Sequence, residues 1–350
     1  MKWMVGYQLC ENSDFVDTII ELKNSIKEVY FSFGNLPNGR NTALVHKNLS
    51  EWQAREKQIG DLNRLNEAGL SFNLLLNGNC YGAHSLSKKF LGSLCDIVDD
   101  LKYQYRLVSV TTTSPVIARC LKQNFPDLEI RASVNMEIGT IEGMEYLSNC
   151  FDSFYMKREC NRDLAQIEKL YSWSEKNNKK LYMLANSGCL NNCSARQFHD
   201  NLVAHENEIS EMDNAVNFHG ICADYLSREN DKSVLLSRLN FVRPEDIKLY
   251  DRYFEAAKLA TRVTRYPSQI LRAYANGHYS GNLLDLLEPD HAERLYPQVL
   301  ENNRIPKDFG QKVLTCSHNC SECGYCKEVF NNAKLCLNNG GILDVDKCYD

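Results

Sequence analysis

The chain has no long run of apolar residues. No stretch approaches the ~18 uninterrupted apolar residues of a membrane-spanning helix, so no membrane span is predicted. The first residues also lack the apolar segment of about 7–15 residues that marks a secretory signal peptide, and we therefore expect the protein in the cytoplasm. Acidic residues outnumber basic ones, 45 to 40, which argues against nonspecific nucleic-acid binding through overall positive charge.

Several common catalytic signatures are missing as well. The sequence contains no Gly-x-Ser-x-Gly nucleophile motif and no His-Glu-x-x-His metalloprotease motif. The glycines of segment 78–82 lack the spacing of a dinucleotide-binding loop, which excludes a Rossmann-type interpretation. Cysteine, in contrast, is abundant, with 15 residues in a chain of 350. In a large cytoplasmic protein, grouped cysteines indicate metal sites rather than disulfides.

Apolar and β-branched stretches alternate with helical patterns along the first 285 residues. Several stretches are apolar at nearly every position, as at 72–76, which is typical of strands buried on both faces of a parallel sheet. Eight strands alternating with helices predict an α/β fold, a TIM-like (β/α)8 barrel, rather than an open sheet. The predicted strands are Met4–Leu9, Glu28–Phe33, Leu70–Leu76, Leu107–Thr111, Glu129–Val134, Phe151–Met156, Lys180–Ala185 and Ala257–Thr261.

The character of the chain changes after residue 285. Pro289, Pro306 and Gly310 interrupt a loop-rich segment that also contains a dense run of cysteines. We therefore predict two regions, a TIM-like barrel at residues 1–285 and a C-terminal cysteine-rich, metal-binding extension at residues 286–350.

A first group of cysteines follows the seventh predicted strand. Cys189 and Cys193 are separated by a short polar loop, and Cys222 lies after a further strand-like stretch. Loops that follow barrel strands lie on the catalytic face, so we expect these three thiols to share a metal site. Cys80, in the loop after the third strand, is the candidate fourth ligand, with Cys10 as the alternative. Thiolates select zinc or iron–sulfur centres over hard cations.

The second group is a run of four cysteines within eleven residues, Cys316, Cys320, Cys323 and Cys326. Such density outside a disulfide scaffold is typical of a metal site. The first three match the spacing of radical S-adenosylmethionine enzymes, but the run follows every predicted strand and a fourth thiol is available to close the site. We therefore favour a closed [4Fe–4S] cluster, with a structural zinc site as the alternative and Cys336 or Cys348 as substitute ligands.

Arginines follow the later strands and are predicted to meet on the catalytic face. Arg158 and Arg162 come after strand six, and Arg196 and Arg262 come after strands seven and eight. Together they suit an anionic substrate, such as RNA or a small carboxylate, because arginine binds such groups through two hydrogen bonds. Salt bridges to neighbouring carboxylates are the alternative role. Asn135 ends the fifth strand, and His199 follows the first cysteine group. The predicted catalytic residues are Asn135, Arg158, Arg162 and His199.

Short motifs in a fixed order resemble peptidase family U-32, the collagenase-like proteins. The likeness covers roughly residues 1–285 and includes the cysteine loop after strand seven. Three residues separate the first two cysteines here, whereas six separate them in the familiar signature. The matching motifs are Ala132-Ser133-Val134-Asn135, Lys157-Arg158-Glu159, Asn161-Arg162-Asp163-Leu164, His219-Gly220-Ile221-Cys222, Arg243-Pro244-Glu245-Asp246 and Lys258-Leu259-Ala260-Thr261-Arg262.

The resemblance implies a TIM-like barrel with a four-cysteine [4Fe–4S] cluster. It also implies oxygen-independent redox or hydroxylation chemistry on RNA or a quinone precursor, as in the better understood relatives. A second cluster in the extension would add electron relay and an electron-donor protein to this hypothesis. Two further hypotheses stay open. One is a peptidase, as the family label says, and the other is a noncatalytic, zinc-stabilised binding protein.

Overall fold

Eight parallel strands close into a barrel in chain order, with each strand paired to the next and β8 paired to β1. The computed structural model describes residues 1–9, 14–34, 36–39, 49–216, 218, 220–320, 322–338 and 341–344. The predicted TIM-like barrel is therefore confirmed, with all eight strands close to their predicted positions. The strands are β1 (Lys2–Gly6), β2 (Ile26–Phe31), β3 (Phe72–Leu76), β4 (Leu107–Thr112), β5 (Glu129–Ala132), β6 (Ser153–Tyr155), β7 (Lys180–Leu184) and β8 (Ala256–Leu259).

Helices cover the outside of the barrel, and local sequence determines where several of them begin. Ser50 and Gln53 form a reciprocal capping box at the start of α2, and Ser114 caps α4 just before Pro115. The helices are α1 (Asp14–Glu21), α2 (Glu51–Glu67), α3 (Lys88–Gln104), α4 (Pro115–Asn124), α5 (Ile141–Glu145), α6 (Leu164–Lys176), α7 (Arg196–Ala204), α8 (Glu206–Ser210), α9 (Ile221–Arg228), α10 (Val234–Ser237), α11 (Pro267–Asn276), α12 (Phe309–Leu314) and α13 (Tyr325–Ala333).

The barrel has two cores because successive strand residues face opposite sides. Val29 and Phe31 of β2 pack outward against the helices, whereas Tyr30 lies in a separate inner cluster. Charged residues share this interior. Arg131 of β5 donates from Nη2 to Oε2 of Glu28 at 2.9 Å, and both side chains are 1% exposed. A buried ion pair therefore lies inside the barrel beneath its C-terminal end.

The extension packs onto the barrel rather than standing apart from it. Its strands β9 (Gln298–Leu300), β10 (Lys334–Asn338) and β11 (Gly341–Asp344) form an antiparallel sheet. Phe309 and Phe330 belong to the same outer core as the barrel helices. Within the described ranges, no helix combines the length and the apolar character needed to cross a membrane.

Candidate functional site

A small cavity of about 40 Å³ opens at the barrel end where the strands finish. A cavity of this size has room for about three water molecules, or for one small polar group of a ligand. The residues at its wall come from the ends of several strands and from the loops that follow them. Its polar lining residues are Asn77, Asn135, Arg158, Lys258, Arg262 and Glu288.

Arg158 reaches the cavity with part of its hydrogen-bonding capacity unused. Nη1 donates to Oε1 of Glu137 at 2.7 Å, and Nη2 donates to Oδ1 of Asn135 at 3.0 Å. Nε is buried and has no hydrogen-bond partner among the described residues. The structure thus brings two predicted catalytic residues, Asn135 and Arg158, together at the cavity.

Arg262 and Lys258 complete the cationic side of the cavity. Nη1 of Arg262 donates to Oδ1 of Asn38 at 3.2 Å, and the side chain is 7% exposed. Burial, together with the positive charge of Arg262, lowers the pKa of Lys258 to about 7. Lys258 was not among the predicted site residues. The sequence does contain a signal for it, because Lys258 is the one polar residue of an otherwise apolar strand. Its neighbours Ala257 and Leu259 pack outward, so the lysine side chain points into the barrel.

Arg162, also predicted to be catalytic, points away from the cavity. Its Nη1 donates to the carbonyl oxygen of Leu236 at 2.8 Å, and its guanidinium lies 4.9 Å from the ring centre of Phe241. The 3₁₀ helix Arg158–Arg162 turns the two arginines to different sides. Arg162 therefore links the loop after β6 to the segment before β8. Its guanidinium also lies near Phe309 of the extension.

The first cysteine group gathers beside the loop after β7. Burial raises the pKa of Cys222, and the nearby thiolates of Cys189 and Cys193 raise it further. A Cβ atom built on Gly220 would lie 3.6 Å from Sγ of Cys222 and equally far from Cε1 of His199. His199 and Cys222 therefore both lie beside Gly220, the residue that precedes α9.

The donor atoms fit a soft metal centre in type but are not arranged as a finished ligand set. In the described part of the chain, no three Cys, His, Asp or Glu side chains converge on a point where they could hold an ion. Burial and the two neighbouring thiolates nevertheless disfavour the ionisation of Cys222, whose pKa is raised. A bound cation would remove that repulsion, and thiolates are the ligands that zinc and iron–sulfur centres take.

Cys80, the predicted fourth ligand, pairs with a histidine. A hydrogen bond from His205 lowers the pKa of the Cys80 thiol, and the same contact raises the pKa of His205. Nδ1 of His205 lies 3.3 Å from Oε2 of Glu208. A thiol, an imidazole and a carboxylate in series form the arrangement that activates a cysteine nucleophile. Sequence spacing does not indicate this contact, because the residues come from loops after different strands.

The four cysteines of the extension line a single cavity of about 300 Å³. The pKa of Cys326 is raised to about 11, mainly because the thiol is buried. The positive charge of Arg162 opposes part of this increase, and the other three thiolates add to it. Sγ of Cys316 also lies 3.6 Å from Nδ1 of His318. The predicted tail ligands therefore surround one space, next to the barrel loop that carries Arg162.

Comparisons with known proteins agree with this architecture. No protein-family profile matches the chain. An uncharacterized protease of Methanocaldococcus jannaschii is 25% identical over 319 residues, which cover 89% of this chain and 90% of that protein. The solved structure of a U32 peptidase superposes with a TM-score of 0.50 at 15% identity and covers 74% of this chain and 92% of that one. Together they confirm the predicted resemblance to peptidase family U-32.

Proposed function

Because the chain resembles peptidase family U-32 in sequence and fold, we propose that it is a barrel enzyme of this type that binds an anionic group of its substrate at the barrel mouth. The proposed chemistry is oxygen-independent redox or hydroxylation, supported by an iron–sulfur cluster on Cys189, Cys193 and Cys222. The bound cluster would supply or accept electrons one at a time. A small carboxylate or an RNA phosphate would provide the anionic group, and a separate protein would donate electrons.

The cavity at the strand ends is the observation that supports this proposal. Its lining residues include two arginines, one lysine and one carboxylate, Glu288. Arg158 has a buried Nε–H without a partner in the described ranges, and a buried donor left unpaired is costly. An anionic oxygen would satisfy that donor. Such a group would also lie beside Arg262 and orient the substrate beside the loop after β7.

Anion binding is expected to depend on Arg158. Replacing Arg158 with glutamine removes a charged donor, so we expect oxalate to bind roughly tenfold more weakly, as is typical for a lost hydrogen bond to a charged group. Isothermal titration of the anaerobically purified full chain with oxalate measures this effect. Arg119→Gln, on the exposed side of α4, is the matched control and should leave the affinity unchanged. Equal affinities in all three proteins would contradict the proposal.

Cluster content is expected to depend on the first cysteine group. The double variant Cys189→Ser and Cys193→Ser should lose about four iron and four sulfide per chain, together with the visible absorbance that they cause. Metal and acid-labile sulfide analysis of anaerobically purified protein measures the loss. Cys95→Ser is the control, because Cys95 belongs to neither cysteine group. It lies on α3, with its sulfur 3.7 Å from that of Cys120.

Metal analysis of the same anaerobic preparation also tests whether the extension binds metal. We propose that Cys316, Cys320, Cys323 and Cys326 hold a second [4Fe–4S] cluster, with structural zinc as the alternative occupant. The variant Cys316→Ser and Cys320→Ser then removes either about four further iron or one zinc per chain. If the barrel variant retains all its iron, the ligand assignment at the barrel is wrong.

A peptidase is the second candidate function, and the contact between Cys80 and His205 favours it. In that case Cys80 would be the nucleophile, His205 its base and Glu208 the group that orients the base. Casein cleavage would then persist in the barrel cluster variant and disappear in Cys80→Ser. The redox proposal predicts no cleavage by either protein.

A further inference from the structure

Lys258 occupies an unusual place for a lysine. It is the third residue of β8, where it pairs with Met4 of β1 and Leu184 of β7. Its side chain is 6% exposed, and it lines the cavity at the barrel mouth. Nζ lies 4.0 Å from the ring centre of Tyr30 and 5.4 Å from that of Tyr155. The amine is thus held on aromatic rings inside the barrel, with its tip at the cavity.

The surroundings of this amine are more positive than negative. Among the described residues, Nζ of Lys258 makes neither a hydrogen bond nor an ion pair with a carboxylate. Burial and three nearby arginines together lower its pKa to about 7, and the arginines outweigh Glu28, which is already bound to Arg131. A large fraction of the amine is therefore unprotonated at neutral pH. The charged or titratable groups that face it are Glu28, Tyr30, Arg131, Tyr155, Arg158, Arg262 and Glu288.

A purely structural role explains this position poorly. Structural lysines in a barrel interior have a carboxylate partner, because an unpaired buried charge is costly. The contact with Tyr30 compensates only part of that cost, since a cation–π contact is weaker than the lost hydration of a buried ammonium group. A neutral, desolvated amine at a cavity is instead the state in which lysine acts as a nucleophile toward carbonyl groups.

We propose that Lys258 forms an imine with the aldehyde or ketone carbon of an anionic substrate, whose charged group lies between Arg158 and Arg262. This inference rests on the anion-binding cavity proposed above. The Nζ lone pair attacks the carbonyl carbon, and the carbonyl oxygen leaves as water after taking up two protons, both of which the amine loses. The step therefore needs no oxidant or reductant. The small cavity limits the reacting end of the substrate to the size of an α-oxo acid.

Reductive trapping tests the proposal. The full chain, purified anaerobically, is incubated with glyoxylate and sodium cyanoborohydride at neutral pH and then digested for peptide mass mapping. We expect one adduct per chain, at Lys258, formed at least roughly tenfold faster than at exposed lysines. About half of the Lys258 amine is neutral at pH 7, whereas an amine with the ordinary lysine pKa of about 10.4 is almost fully protonated there. Lys258→Arg should lose the adduct, whereas Lys169→Arg, on the exposed face of α6, should keep it.

A second measurement on the wild-type chain does not depend on the folding of the variant. Oxalate carries the anionic groups but no reactive carbonyl, so it should slow trapping at Lys258 and leave surface lysines unaffected. If oxalate binds and glyoxylate is not trapped at Lys258, the imine proposal is wrong and the anion-binding cavity stands. If oxalate does not bind and no adduct forms at Lys258, both proposals fail.

Discussion

Replacing Arg131 with alanine is expected to lower the free energy of unfolding by about 3–5 kcal/mol, the range found when one partner of a buried ion pair is removed. The Arg131 guanidinium contacts Glu28 through two nitrogens and donates from Nε to Oε1 of Glu129 at 2.9 Å. Without it, the Glu28 carboxylate would remain inside the barrel with Ser109, at 3.2 Å, as a hydrogen-bond donor. Urea unfolding followed by circular dichroism measures the change.

A surface pair of similar geometry is the matched control for this prediction. Arg272 contacts Glu21 through two nitrogens, but the two side chains are 45% and 55% exposed. Because solvent screens such pairs, Arg272→Ala should lower stability far less than Arg131→Ala does. The double variant Arg131→Met with Glu28→Leu should recover much of the loss, since it leaves no unpaired charge at Glu28. Equal effects of the two alanine variants would contradict the buried-pair explanation.

The sequence predicts the barrel well because its strands are buried on both faces. Strand ends are predicted less well, since apolar character follows burial rather than backbone pairing. β1 ends at Gly6, but Tyr7 and Leu9 remain 3% and 6% exposed beyond it, so the predicted strand runs too far. The loop that contains Tyr7 and Leu9 is still buried beyond the end of the paired strand.

The site is predicted only in part, and the reason lies in long-range contacts. Local spacing is enough to bring Cys189 and Cys193 together, because few conformations of a short loop separate them. Nothing local indicates that Glu28 and Arg131 meet across the barrel, or that Cys80 meets His205. Contacts of this kind depend on how the closed sheet places distant strand ends. Arg162 fails to reach the cavity for a local reason, the direction of one 3₁₀ turn.

The stability of the Lys258→Met variant is expected to respond to pH differently from that of the wild type. Burial gives the folded lysine a pKa of about 7, whereas an unfolded lysine keeps its proton up to about pH 10. Below pH 7 both states are protonated, and folding buries the charge, so the methionine variant should be the more stable protein. Between these two pKa values the folded chain has lost the proton and the unfolded chain retains it. Unfolding then takes up a proton, and wild-type stability rises relative to the variant as pH increases.

From about pH 6 to about pH 9, the difference in unfolding free energy between wild type and Lys258→Met should change by about 2–3 kcal/mol in favour of the wild type. Urea unfolding of both proteins at several pH values measures it, and subtracting the two curves removes the groups that titrate in both. The control Lys169→Met removes an exposed amine, so its difference from the wild type should stay constant over this range. A constant difference for Lys258→Met as well would mean that Lys258 stays charged in the folded barrel. Its amine would then be too poor a nucleophile at neutral pH to form the proposed imine. Lys258 would have a purely electrostatic role beside Arg262.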